Sequence, residues 1–245
     1  MNHGPLIFLG VLLALTASWL SLVIAPHLQF GQQELVVIQD TGQSYPPARP
    51  GEAVQGAEVY RANGCQYCHT QQVQPQNAGP DLARGWGKRR TVARDYLRDQ
   101  PVMLGSLRFG PDLANLGVRE TNTHTLLLKL YNPRIVIPGS TMPRFPYLFE
   151  QRRIKPGTSH SPDALALPVA FAPAPHVEVV PRPEALELVA YLESLKADSL
   201  FFEVFPPPGP KPATNAVAGA TNVATALSTN RSGTGSIATN APPAR

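Results

Sequence analysis

Apolar positions divide the chain into an uncharged N-terminal run, a middle of short periodic segments broken by proline and glycine, and a tail without usable periodicity. From Leu6 to Ala25, twenty residues carry no charge, and only Gly10, Thr16, Ser18 and Ser21 interrupt the apolar character. As a helix, that run covers about 30 Å, the thickness of a bilayer's hydrocarbon core. Met1-Asn2-His3-Gly4-Pro5 holds no Lys or Arg, and Pro26 spoils the best cleavage position of a secretory leader. Residues 1–28 are therefore expected to be a retained, single-pass transmembrane anchor.

Residues 29–50 read as a tether, with a short extended stretch at Glu34–Ile38 and a turn-rich Tyr45-Pro46-Pro47-Ala48-Arg49-Pro50. Glu52–Asn63 reads as a helix with Val54, Ala57 and either Ala62 or the Arg61 stem along one face. Thr91–Asp99 and Thr123–Tyr131 are further short helices, the second stopped at Asn132-Pro133. After Pro181-Arg182-Pro183, the residues Ala185, Leu188, Val189, Leu192 and Leu195 recur at helical spacing, with Glu184, Glu187 and Glu193 outside the stripe. Gln151–Pro183 is proline-studded and reads as an irregular excursion from a domain over 51–205. Residues 206–245 lack the apolar content to offset chain entropy and read as a disordered low-complexity tail.

Composition sharpens this outline only a little. With 27 Pro and 19 Gly among 245 residues, a single modest core is expected. A formal charge of +4, spread among carboxylates, gives no basic patch and argues against nucleic acid as a partner.

Both cysteines fall in one run, Cys65-Gln66-Tyr67-Cys68-His69, and C-x-x-C-H is the attachment signature of c-type haem. Thiols three residues apart on one turn can each add to a haem vinyl group, while His69 on the same face ligates the iron. A zinc site would need a second pair of soft ligands, and the other five histidines form no such group. A dithiol redox motif would sit in a βαβ pattern that is absent from the sequence. One covalent haem c, and an electron carrier, is the reading. Bacterial haem c attachment takes place outside the cytoplasm, so the soluble part is expected on the periplasmic side of the inner membrane.

The second axial ligand must come from far along the chain, where Met103, Met142, His124, His160 and His176 are available. Met142, in Pro138-Gly139-Ser140-Thr141-Met142-Pro143, is favoured because a loop stiffened by proline can present its thioether. Gly-Pro-Asp-Leu-Ala occurs twice, at Gly79–Ala83 and Gly110–Ala114, and a proline carbonyl there can accept the Nδ1–H of His69. Spacing alone points to Pro80; the copy not so used reads as a turn. Trp86, Arg89, Arg90, Arg108 and Arg134 are the candidate propionate partners.

Taken together, Gly56-x-x-Val59-Tyr60, the haem run with Thr70-Gln71, Asp95-Tyr96, Gln100-Pro101, Arg108, Gly110-Pro111-Asp112-Leu113, Leu130-Tyr131-Asn132-Pro133-Arg134 and Met142-Pro143 resemble the monohaem subunit II of cbb(3)-type cytochrome c oxidase. The likeness covers residues 50–150 closely. It implies a mainly α fold: one N-terminal transmembrane helix, then a cytochrome c-like helical haem domain with long loops. It also implies a haem held by Cys65 and Cys68 between His69 and Met142, with Pro111 rather than Pro80 on His69. The implied donor is a dihaem c-type subunit or a soluble cytochrome c, and the implied acceptor is the large catalytic b-type haem/copper subunit. With both axial positions filled, the chain would carry no catalytic centre of its own. Gln74 and the 151–183 excursion depart from the pattern. The rival readings are the anchored cytochrome of nitric-oxide reductase, a mobile secreted cytochrome, and a dithiol enzyme.

Overall fold

The computed structural model describes residues 2–31, 33–155 and 157–204; the tail expected over 206–245 lies outside the described residues. The described chain is mainly helical, with few strands. Its first helix, α1 (Gly4–Phe30), runs 27 residues, holds an 18-residue window with a mean hydropathy of 2.4, and is long and apolar enough to cross a membrane. Thr16 and Ser21 return their hydroxyls to the carbonyls of Leu12 and Ser18, so neither leaves an unpaired polar group on an apolar surface. A wider π turn at Leu20–Ile24 precedes Pro26. Such an opening makes room for a ring that would otherwise press on the carbonyl four residues back.

The segment read as a tether is fastened down. Strand β1 (Val36–Val37) pairs antiparallel with β2 (Ser44–Tyr45), and Tyr45 is buried with Phe201 and Val204 in a small second core. Tyr45 Oη donates to Asp95 at 2.7 Å, inside a buried pair in which Arg89 meets both Asp95 oxygens at 2.8 and 2.9 Å. Arg94 bonds the Glu34 carbonyl, Arg98 bonds that of Pro46, and Arg49 pairs with Asp99. Thr91–Asp99, expected to be an α-helix, is a single 3-10 turn at Ala93–Tyr96. Its Arg94 and Asp95 are committed to these tertiary bonds, which outweigh local propensity.

The main core forms where α2 (Gly51–Ala62) crosses the last helix, α5 (Pro183–Ser194). On α2 the buried face is Ala53, Gly56 and Tyr60; Val54, expected inside, is exposed. Small residues at that face let the helices close: a Cβ on Gly56 would lie 1.8 Å from the Glu187 carbonyl oxygen, so only glycine fits. The stripe Ala185, Leu188, Val189, Leu192 and Leu195 is buried as its spacing requires. A short α3 (Leu116–Arg119) also approaches α5 through a glycine, since a Cβ on Gly117 would meet the Glu193 carbonyl oxygen at 1.9 Å. Helix α4 (Thr123–Tyr131) starts at Asn122, whose side chain accepts from Thr125 N, and ends before Pro133.

The excursion is more ordered than its prolines suggest. Phe149–Arg153 (β3) and Val177–Pro181 (β4) form an antiparallel pair, and Leu165 folds back to bond Val179 O and join the core. Val179 and Val180, set between proline-rich flanks, are both buried.

Candidate functional site

Helix α2 ends at Asn63, and Gly64, at φ +66°, turns the chain in the left-handed conformation that glycine adopts readily. Cys65–Tyr67 then form a 3-10 turn, and His69 N closes it on Cys65 O at 2.9 Å. Both cysteines are free thiols; Cys65 is partly buried against the core and Cys68 is exposed. Burial pushes the Cys65 thiol up to about 11, so at neutral pH it is protonated.

His69 is oriented by a single bond, its Nδ1 lying 2.8 Å from the carbonyl oxygen of Pro111. A carbonyl can only accept, so Nδ1 carries the proton and Nε2 presents its lone pair. Burial lowers the His69 pKa, partly opposed by the Pro111 carbonyl and Asp112, which keeps the ring neutral and able to ligate. The Pro80 carbonyl accepts instead from Arg84 N at 2.9 Å, within its own turn. Gly110 is pressed onto the imidazole: a Cβ there would lie 2.1 Å from Cε1. Neighbouring backbone bonds bring the 104–110 loop alongside the cysteine turn, through Gln71 N to Leu104 O, Ser106 N to Gln66 O and Gly110 N to Cys68 O.

These residues fit a covalent haem on the donor set alone. Two free thiols and one neutral imidazole share a turn, with that imidazole already held by its second nitrogen. The adjoining loop leaves Leu104, Leu107 and Phe109 exposed, apolar surface of the kind a flat macrocycle covers. Met142 sits half-buried against the same core as Cys65, whereas Met103 is buried within that core.

Arg89 is 3 % exposed and wholly occupied by Asp95, Tyr45 and Ser199 O, so the proposed propionate role is withdrawn for it. Arg108 is bonded to Asp81, Gln72 O and Thr70, and the Trp86 ring has the guanidiniums of Arg84 and Arg108 over it at 4.9 and 5.7 Å. Arg90 and Arg134 are exposed.

Sequence reasoning passed over Asp81, Asp112 and Asn115, all fully buried. It also passed over Gln71, which joins Tyr191 Oη at 2.9 Å and accepts from Tyr96 Oη at its carbonyl. Burial raises the Tyr191 hydroxyl to about 12, so it stays a neutral partner. The repeated aspartate in the two Gly-Pro-Asp-Leu-Ala copies was the available signal for Asp81 and Asp112. A cavity of about 470 Å³ opens on the far side of Gln71, lined also by Arg49, Asp99 and Ser194.

A family model described as cytochrome C oxidase, mono-heme subunit/FixO matches residues 7–166, well over half of the chain. No curated protein matches it.

Proposed function

The chain belongs to the mono-heme subunit/FixO family of cytochrome c oxidase, and from that premise we propose that it is the electron relay of a cbb(3)-type terminal oxidase. In this reading α1 anchors it in the bacterial inner membrane, with the domain on the periplasmic side. Electrons arrive from a dihaem c-type subunit or a soluble cytochrome c, and leave to the large b-type haem/copper subunit, where oxygen is reduced.

The observation that carries the reading is the His69–Pro111 bond beside Cys65 and Cys68 on one turn. Cys65 and Cys68 would hold haem c covalently, and His69 Nε2 and Met142 Sδ would be the residues that ligate its iron. The bound group supplies a one-electron iron couple. The protein's part is to fix His69 in the tautomer that ligates, to keep the imidazole neutral by burial, and to hold the 104–110 loop against the turn. A neutral thioether as the second iron ligand would favour the ferrous state and raise the potential relative to two histidines.

The reading is tested on the detergent-solubilised oxidase complex, by reducing it through a c-type donor and following the haem c band after oxygen is admitted. Re-oxidation as fast as oxygen is consumed supports the relay, whereas haem c that stays reduced during turnover sinks it. Met142→Leu should remove the sulfur-to-iron absorption of the oxidised protein; a band that persists moves the ligand elsewhere.

A further inference from the structure

The segment following His69 is fastened at alternate residues. Gln71 and Val73 face the core, both nearly inaccessible, while residues 70, 72 and 74 face a cluster of charge. Asp112 takes Thr70 Oγ1 at 2.6 Å and Gln72 N at 2.7 Å, and Asp81 takes Gln74 N at 2.7 Å. Arg108 links the two copies of the repeat: it donates to Asp81 at 2.6 Å, to Gln72 O at 2.6 Å and to Thr70 Oγ1 at 3.0 Å, and stands 3.9 Å from Asp112. Both aspartates are completely buried, and so are held by these donors rather than by water.

Pro111 lies between two clamped points. Gly110 N bonds Cys68 O, and Leu113 N bonds Thr70 O, while Asp112 grips the strand from the next residue. The carbonyl that meets His69 therefore has its position set by the charged cluster behind it.

We propose that Arg108, acting with Asp81 and Asp112, is the positioning residue for His69. It fixes the Pro111 carbonyl on Nδ1–H, and through that bond the donor strength of the imidazole, and it does not serve as a counter-ion for a haem propionate. This assignment gives the duplicated motif one task, two buried carboxylates around one guanidinium, and it rests on the haem reading above.

The test uses the full-length, haem-loaded chain in detergent. Arg108→Lys keeps the charge and loses the planar fork. Thr70→Val removes a bonded hydroxyl without changing any charge. The readouts are solvent exchange of the His69 Nδ1 proton by NMR and the haem midpoint potential. Arg108→Lys should speed exchange about tenfold and lower the ferric-to-ferrous ratio at fixed ambient potential about tenfold, which is about 59 mV upward for a one-electron couple. Thr70→Val should move both in the same direction, by about threefold, and decides the matter if the lysine variant does not fold. Unchanged exchange in Thr70→Val, or an altered potential with unchanged exchange in Arg108→Lys, would overturn the positioning role. An unmodified chain without covalent haem would instead overturn the functional reading beneath it.

Discussion

The crossing of α2 and α5 and the loops from residue 70 to 115 both bury side chains, but those side chains are held by opposite means. At the crossing the interior is apolar and closeness is obtained by leaving atoms out: Gly56 brings two backbones together, and the Tyr60 ring packs tilted against Tyr191, centroids 5.3 Å apart. In the loops regular structure is scarce, and Asp81, Arg89, Asp95, Asp112 and Asn115 are all buried, each with bonded partners. Hydrophobic burial is non-directional, so it sets how near the helices stand without fixing an atom to a fraction of an ångström. Charge-assisted hydrogen bonds are directional, and it is in the loops that the Pro111 carbonyl has to meet one ring nitrogen. The Cys65–His69 turn lies at the junction of the two, delivered by α2 and aligned by the loops.

The comparison is broken most severely at the Arg89–Asp95 pair, each side chain no more than 3 % exposed. Burial works against the Arg89 charge, and Asp95 together with Tyr45 more than offsets it. Asp95→Ala leaves that charge stranded and should cost about 3–5 kcal/mol in denaturant unfolding. Replacing both partners by apolar residues of similar volume should restore most of the loss; if it does not, the pair contributes more than mutual compensation. At the crossing, Gly56→Ala drives a methyl into the Glu187 carbonyl and should cost about 3 kcal/mol, without the rescue available to the pair, because a backbone cannot be mutated away.

How far the two regions could be read in advance follows from the same contrast. The stripe on α5, the limits of α4 and the apolar α1 were legible because periodicity and proline placement report directly on burial and chain termination. The α2 face was misassigned because glycine and alanine at a close crossing carry no hydrophobic signal, while Val54 does and is exposed. Tyr45 was read as part of a tether, Asp95 as part of a short helix and Arg89 as a candidate propionate partner, since their burial depends on partners 50 residues away and more, Phe201 and Ser199 included. The cysteine turn was plain from its motif. Which proline meets His69 was not settled by spacing, which pointed to Pro80, whereas the structure places Pro111 there across 42 residues.

Smaller effects sharpen the picture. Thr70→Val removes a hydroxyl that both donates to Asp112 and accepts from Arg108, and should cost about 1 kcal/mol in unfolding, without the collapse expected from Asp95→Ala. The smallest effect is at the surface, where Lys129 holds the Glu120 carboxyl below its usual range. That contribution is complete above about pH 5 and is lost as pH falls through the lowered folded value. A comparison with Glu120→Gln in acid unfolding should show no more than about 0.5 kcal/mol, and the difference should fade in salt.

The central claim is tested most directly by the chemistry of the turn itself. The chain isolated from its membrane should keep haem through acidic organic extraction. It should give the pyridine haemochrome spectrum of a porphyrin with both vinyl groups saturated, one per chain, carried on the peptide from Cys65 to His69. Release of all haem into the organic phase, leaving two titratable thiols at Cys65 and Cys68, would contradict the account.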